Sequence, residues 1–249
     1  MDKIKILNQT NINSLSDILK ITNQIYVSPA LYSFKSRVKK IYNLIDYNSK
    51  ITPCIFFGVY IHSDIKKIHN HNTLKIIIWG GSDVYPKNII SLNKHNNNII
   101  NIAISTCIYT RLLNSNIKSI LVDFNMVDTS LFFPISSNEL GNKILIYNGQ
   151  QQNRESLYGK EIYEQIVSSL PNYIYIYSNT LNVPYELMPS IYKTCFIVLR
   201  LTQYDGNANT AQECDAMNIP IIHNQSTNGL KWTTLEDIIN YILFYDTKL

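Results

Sequence analysis

Glycine and proline are scarce in this chain, eight of each among 249 residues. A collagen-like repeat, a Gly-rich linker and a low-complexity disordered chain are thereby excluded. No Gly-x-Gly-x-x-Gly follows an apolar run, so the dinucleotide fingerprint is missing. The four cysteines, Cys54, Cys107, Cys195 and Cys214, are far apart in sequence. That spacing fits no zinc ligand set and no dense disulfide framework. They are expected to be reduced thiols, mostly buried, in a cytoplasmic protein. No apolar run is long enough to span a bilayer, which leaves peripheral contact as the expected limit of membrane association. The opening MDKIKILNQTNINS has neither the apolar core nor the cleavage site of a signal peptide. Charge of one sign is also in short supply. Lys and Arg number 22 against 18 Asp and Glu, a net +4. This favours an anionic substrate but is too small to imply a nucleic-acid partner. The densest basic run, Lys35 to Lys40, reads as a solvated helix face. His69 and His71 fall in an Asn-rich stretch and read as a solvated loop rather than metal ligands. His62, His95 and His223 show no partner in the sequence.

What the chain does contain is an alternation of short apolar runs with helix-like segments. Strands are expected at Pro53–Phe57, Leu74–Trp79, Ile99–Ser105 and Lys118–Asp123, with helices around 64–70 and 108–114. Residues 15–26 and 37–45 look helical. A turn-rich stretch from Val127 to Pro134 interrupts the pattern, which then restarts. Strands are expected at Lys143–Tyr147, Tyr173–Tyr177, Cys195–Leu199 and Ile219–His223, and helices at 159–169, 186–192, 209–217 and 234–245. Runs of Ile, Val and Leu without polar alternation suit strands covered on both faces, hence parallel sheets. Two such βα arrays joined by a link predict an α/β protein with two Rossmann-like domains facing a cleft. The expected division is residues 1–127 and 128–249.

The most informative stretch runs from Phe196 to His223. A buried strand ends at Arg200, a polar loop carries Asp205 and Gly206, and a helix starting near Asn209 carries Glu213. Ligands of open α/β sheets bind at the C-terminal ends of the strands. A helix start beside an arginine is suited to phosphate, so Asn207, Ala208, Asn209 and Thr210 are candidate backbone donors. Gly206 would let the chain approach an anion closely. Arg200 pairing structurally with Asp205 is the plain alternative.

Taken together, these residues resemble GT-B glycosyltransferases, in particular the family 4 (group 1) retaining enzymes. Asp205, Gly206 and Glu213 stand at the family's spacing of an acid, seven residues and a glutamate. Asn218-Ile219-Pro220-Ile221-Ile222 is similar to the stretch that follows. Asp128 to Pro134 resembles the interdomain link. Tyr147-Asn148-Gly149 resembles the strand-to-glycine phosphate loop, and Gly80-Gly81-Ser82-Asp83 a loop of the N-terminal domain. The likeness extends from Phe124 to Tyr245 and more thinly from Pro53 to Asp123. It departs where the family's basic residues by the phosphate loop are replaced by Gln150 and Tyr158, whose charge Arg154 and Arg200 would replace. The N-terminal domain is also short.

The resemblance implies transfer of a sugar from a UDP- or GDP-linked donor to a glycan, lipid or protein, with retention. Asp205 would orient the donor sugar, Glu213 would take the ribose hydroxyls, and Arg200, Arg154 and Gly149 would face the diphosphate. Asp83, with Gly80 and Gly81, would contact acceptor or sugar. The base would lie near Ser178 to Pro184. No Asp-x-Asp occurs, so no metal and no cofactor beyond the donor is expected. The alternatives are a catalytically degenerate domain serving as a binding scaffold, and a sugar-nucleotide epimerase.

Overall fold

The architecture is taken from a computed structural model that describes residues 12–84, 87–88, 92, 98–149, 152–202, 205–224 and 228–246. The first eleven residues, His95 and Gln150 lie outside the described residues. The chain divides into two compact units, Met1–Met126 and Val127–Leu249.

The first unit holds six strands: β1 (Gln24–Val27), β2 (Ile45–Asp46), β3 (Cys54–Phe57), β4 (Lys75–Trp79), β5 (Ile99–Ala103) and β6 (Ser119–Leu121). Their order is β2-β1-β3-β4-β5-β6, and every pair is parallel. Helices α1 (Leu15–Ile21), α2 (Tyr32–Tyr42), α3 (His62–His69) and α4 (Thr106–Asn114) connect them. Every residue of β3, β4 and β5 is buried, as continuous apolar runs require of a sheet covered on both faces.

Two strands here were not expected. The helix anticipated over 15–26 ends at Ile21, and Gln24–Val27 is an interior strand instead. Thr22 makes the change of direction. Its backbone is extended, its hydroxyl donates to the Pro53 carbonyl at 2.6 Å, and its oxygen accepts from Gln24 N at 3.0 Å. Gln24 is buried, yet its carboxamide oxygen takes the amides of Asn48 and Ser49, and its nitrogen donates to Ser49 O and Thr52 Oγ1. The helix expected over 37–45 likewise stops at Tyr42, where Asn43 is left-handed at φ 50°, and Ile45–Asp46 pairs with β1. His71 is also not solvated. It is buried, edge-on to Phe56 at 5.3 Å, with its ring nitrogens near Tyr47 and Thr73 hydroxyls.

The second unit holds β7 (Lys143–Ile146), β8 (Ile174–Tyr177), β9 (Cys195–Leu199) and β10 (Ile221–Ile222) in the order β10-β9-β7-β8, again all parallel. Helices α5 (Lys160–Ser169), α6 (Met188–Lys193), α7 (Asn209–Ala216) and α8 (Leu235–Asp246) cover it. One face packs Leu145, Val198, Ala211 and Cys214 with residues of α6 and α7. The other packs Ile144, Ile146, Phe196 and Leu199 with Ile166 of α5 and Ile238 and Ile242 of α8. Phe196 and Ile197 both point to this second face, because a register shift at Lys143/Ile144 bulges β9 there.

Both sheets begin in the middle. The first strand of each unit is interior, its second lies on one side and its third on the other. Such an α/β arrangement is compatible with a Rossmann-like fold, and it leaves a crevice where the strand order reverses. In the second unit that reversal falls between β7 and β9, so the residues after Ile146 and Leu199 share that edge.

Candidate functional site

The end of β9 delivers Arg200 to this sheet edge. Its amide donates to Ile222 O at 3.0 Å, which fixes the backbone in the sheet's own register. The side chain is buried. Its Nε donates to Asp205 Oδ2 at 2.6 Å, and Nη1 to Thr210 Oγ1 at 3.3 Å on the first turn of α7. The guanidinium lies 4.0 Å from the centroid of Tyr147, directly after β7, and 5.3 Å from that of Tyr158. The two rings meet edge to face at 5.0 Å. Burial works most strongly against the charge on Arg200, but the Asp205 carboxylate and the Tyr147 hydroxyl together outweigh it and hold its pKa above the ordinary arginine value. The guanidinium is therefore a permanent cation held by stacking, an ion pair and a hydroxyl.

His223 closes the far side, from the end of β10. Its Nδ1 is 3.1 Å from the Arg200 carbonyl, which only accepts, so Nδ1 carries the proton and Nε2 is the lone-pair nitrogen. Nε2 lies 3.9 Å from Asp205 Oδ2. Burial lowers the imidazole pKa to about 4, Asp205 resists that and Arg200 adds to it, so the ring is neutral at pH 7.

The start of α7 is the third component. Ala208 is its N-cap with extended geometry, and its methyl side chain makes no capping bond. Backbone N–H groups of the first turn lack intrahelical partners, and here they lie beside a fixed guanidinium. Asn207 accepts from Gln212 through its side-chain oxygen at 2.6 Å. A cation, a hydroxyl and a helix start thus meet at this sheet edge.

Glu213 sits deeper, on the second turn of α7, and is buried. Tyr192 donates its hydroxyl to Oε2 at 2.6 Å, and Asn209 donates its amide nitrogen to Oε1. Burial first, then the Glu213 charge, holds the Tyr192 hydroxyl well above its usual range. The Asn209 carboxamide oxygen is buried with no partner, as is that of Asn179 just after β8. Asn179 gives its nitrogen to Glu155, and the backbone N–H of Asn179 reaches Asn148 Oδ1 at 3.0 Å. Asn148 also exchanges bonds with Ser178, tying the ends of β7 and β8 together.

The structure thus brings Arg200, Asp205 and Thr210 into contact and joins Asn209 to Glu213. Asn207 and Ala208 lead into the same helix start, and Gly206 directly follows Asp205. Gly149 is part of the same corner but faces Tyr158. A Cβ there would stand 2.7 Å from that ring, at a φ of 82° that favours glycine. Arg154 is exposed on a 3-10 helix over Gln152–Tyr158, near enough for its charge to oppose the burial that raises the Tyr158 hydroxyl pKa.

Asp83 belongs to the first unit and is buried there. Its Oδ2 accepts from Val59 N at 3.0 Å and Gly80 N at 3.1 Å, and its Oδ1 from Gly81 N at 2.8 Å. Burial raises its pKa against the pull of those amides. The carboxylate organises the loop of Gly80 and Gly81 rather than facing outward. Asp64 does the same nearby, taking the hydroxyls of Tyr26 and Ser28 and the amides of Tyr60 and Ile61.

Sequence reasoning placed Tyr147 and Tyr158 by the phosphate loop without foreseeing that their rings lie against Arg200, and it missed His223 and Tyr192. A signal existed for His223. It follows the last strand just as Arg200 follows its parallel neighbour, so the two must share an edge.

Among the described residues, no group of three or more His, Cys, Asp or Glu converges as metal ligands do. No helix among them is long and apolar enough to cross a membrane. The four thiols are free, and all but Cys107 are buried. A scan against protein-family models finds no match to this sequence, and a search of curated proteins finds none either. What the fold defines is an α/β protein of two parallel-sheet units.

Proposed function

We propose that the second unit binds a UDP- or GDP-linked sugar and that the protein is a GT-B-type, retaining glycosyltransferase acting on a glycan, lipid or protein. The observation that carries this reading is the Arg200 guanidinium fixed at the strand-order reversal, bonded to Thr210 on the first turn of α7. Departure of a nucleoside diphosphate demands preorganised positive charge where the leaving group's charge grows. Arg200 and the α7 amides would supply it, the part that a divalent metal plays elsewhere. Asp205 would accept from donor-sugar hydroxyls. The buried, unsatisfied oxygens of Asn209 and Asn179 are acceptors for ribose hydroxyl or base N–H donors. The acceptor would attack from the leaving-group face, a phosphate oxygen taking its proton, so no protein base is assigned.

A second reading is a degenerate transferase that binds without turnover. It is favoured by Glu213 and Asp83, whose carboxylate oxygens are already engaged within the protein. Calorimetry with UDP and GDP, followed by donor-hydrolysis assays, separates the cases. Arg200→Ala should weaken nucleotide binding by about 2 kcal/mol or more, as loss of a charge-assisted contact does. Binding that is indifferent to both Arg200→Ala and Glu213→Ala refutes the assignment. Wild-type binding without any hydrolysis or transfer favours the degenerate form.

A further inference from the structure

We propose that the Arg200–Asp205 pair is an anion-exchange switch. A bound diphosphate replaces the Asp205 carboxylate on the guanidinium, and the released carboxylate becomes the group that takes the donor sugar's hydroxyls. This rests on the nucleotide-sugar reading above. The two roles given there are incompatible with the geometry as it stands, because Nε of Arg200 and Oδ2 of Asp205 are bonded to each other at 2.6 Å. One cation and one anion that neutralise each other serve neither diphosphate nor sugar.

The surroundings decide which partner moves. Arg200 is held independently of Asp205 by Tyr147 at 4.0 Å, Tyr158 at 5.3 Å and the Thr210 hydroxyl at 3.3 Å. Gly149 leaves room for the Tyr158 ring, and Gly159 abuts Leu201, the residue after Arg200. Among the described residues, Asp205 has only Arg200 and His223 against its carboxylate. Its side chain is the more exposed of the pair, 15% against 7%. Its other basic neighbour, His223, spends its ring proton on the Arg200 carbonyl and turns a lone pair toward the carboxylate. Carboxylate and phosphate present similar oxygen pairs to a guanidinium, so one substitutes for the other without rearranging the cation. The exchange also keeps the buried guanidinium paired throughout, which avoids leaving an uncompensated charge.

Calorimetric titration with inorganic pyrophosphate tests the switch. Asp205→Asn should bind pyrophosphate about tenfold more tightly than wild type, the scale of one competing charge-assisted bond. Asp205→Glu, which keeps the competing charge, should stay close to wild type. Asp215→Asn removes a carboxylate from the exposed side of the same helix and should change nothing. Equal tightening in Asp215→Asn overturns the switch in favour of bulk charge. Unchanged or weaker binding by Asp205→Asn overturns it too. In that case Arg200-dependent binding of pyrophosphate and UDP to wild type leaves the nucleotide-sugar reading standing. No binding of pyrophosphate, UDP or GDP to any form overturns both. Should Asp205→Asn not fold, the Arg200 Nε–H resonance of the wild type gives the same answer. Saturating pyrophosphate should shift it, and a resonance that stays in place at saturation overturns the switch.

Discussion

His223 is the most heavily perturbed histidine at the site, and its burial makes a testable contribution to stability. The folded protein holds the ring neutral down to about pH 4, whereas an unfolded histidine takes its proton near 6.5. The unfolded state therefore binds the extra proton first as pH falls. The contribution is intact above the ordinary histidine value and is lost between there and about pH 4. Between pH 7 and pH 5 that loss amounts to about 2 kcal/mol. A His223→Gln variant keeps a donor for the Arg200 carbonyl but has nothing to protonate. Urea unfolding at pH 7 and pH 5 should show wild type losing about 2 kcal/mol more than the variant. Equal losses in the two proteins would mean the ring is not held neutral. Single residues were also where the sequence was hardest to read. Arg200, Asp205 and Glu213 stood out because charge in a strand-to-helix loop is conspicuous. Tyr192 did not, since tyrosine is abundant here and most tyrosines pack without a site role. Whether Asp83 faces a ligand or its own backbone amides depends on loop geometry that no spacing rule carries.

At the scale of elements, the corner joining β7 to α5 governs how Arg200 is presented. Gly149 has a positive φ of 82°, and the Tyr158 ring occupies the space a side chain would need. Gly159, at φ 77°, faces the backbone of Leu201 with only 3.0 Å to spare for a Cβ. Two glycines thus let the Tyr158 corner wedge between the ends of β7 and β9. Replacing Gly149 by Ala must push the ring away as well as strain the backbone. It should cost about 2 kcal/mol of stability. Because Tyr158 covers Arg200, pyrophosphate binding should weaken in the same variant. Thermal melting and calorimetry on Gly149→Ala check both, and a variant that melts like wild type removes the packing argument. Elements were otherwise read best where one period was pure. Cys195–Leu199 is a strand with no polar residue, and it forms as expected. Gln24–Val27 was absorbed into a helix because its strand is only four residues long and opens on a buried glutamine. Its hydrogen bonds to Asn48, Ser49 and Thr52 are tertiary, and nothing local announces them.

At the scale of the whole molecule, each unit has its own core and its own complete sheet. The second unit builds apolar layers on both faces of four strands, closed by α5 and α8 on one side and by α6 and α7 on the other. The ion pair, the aromatic pair, the imidazole and the buried glutamate all come from residues after Val127. A segment of this size with two covered sheet faces is within the range of independently folding domains. The alternation of apolar runs foretold such a restart after Asp128, because a sheet covered on both faces leaves the same mark wherever it occurs. A fragment spanning 127–249 should therefore unfold cooperatively on heating and show mixed α/β circular dichroism. It should also bind UDP or GDP with the affinity of the full chain, since Arg200, Asp205, Asn209, Asn179 and the start of α7 are all present. Cooperative unfolding with markedly weaker nucleotide binding would mean that residues of the first unit complete the donor site. A fragment without a cooperative transition would mean that the second core is insufficient alone. Transfer to an acceptor, in contrast, should be lost from the fragment even where nucleotide affinity is kept, if the first unit holds the acceptor as the GT-B reading proposes. Splitting binding from transfer in this way tests the division of labour between the units, which measurements on the intact chain leave mixed.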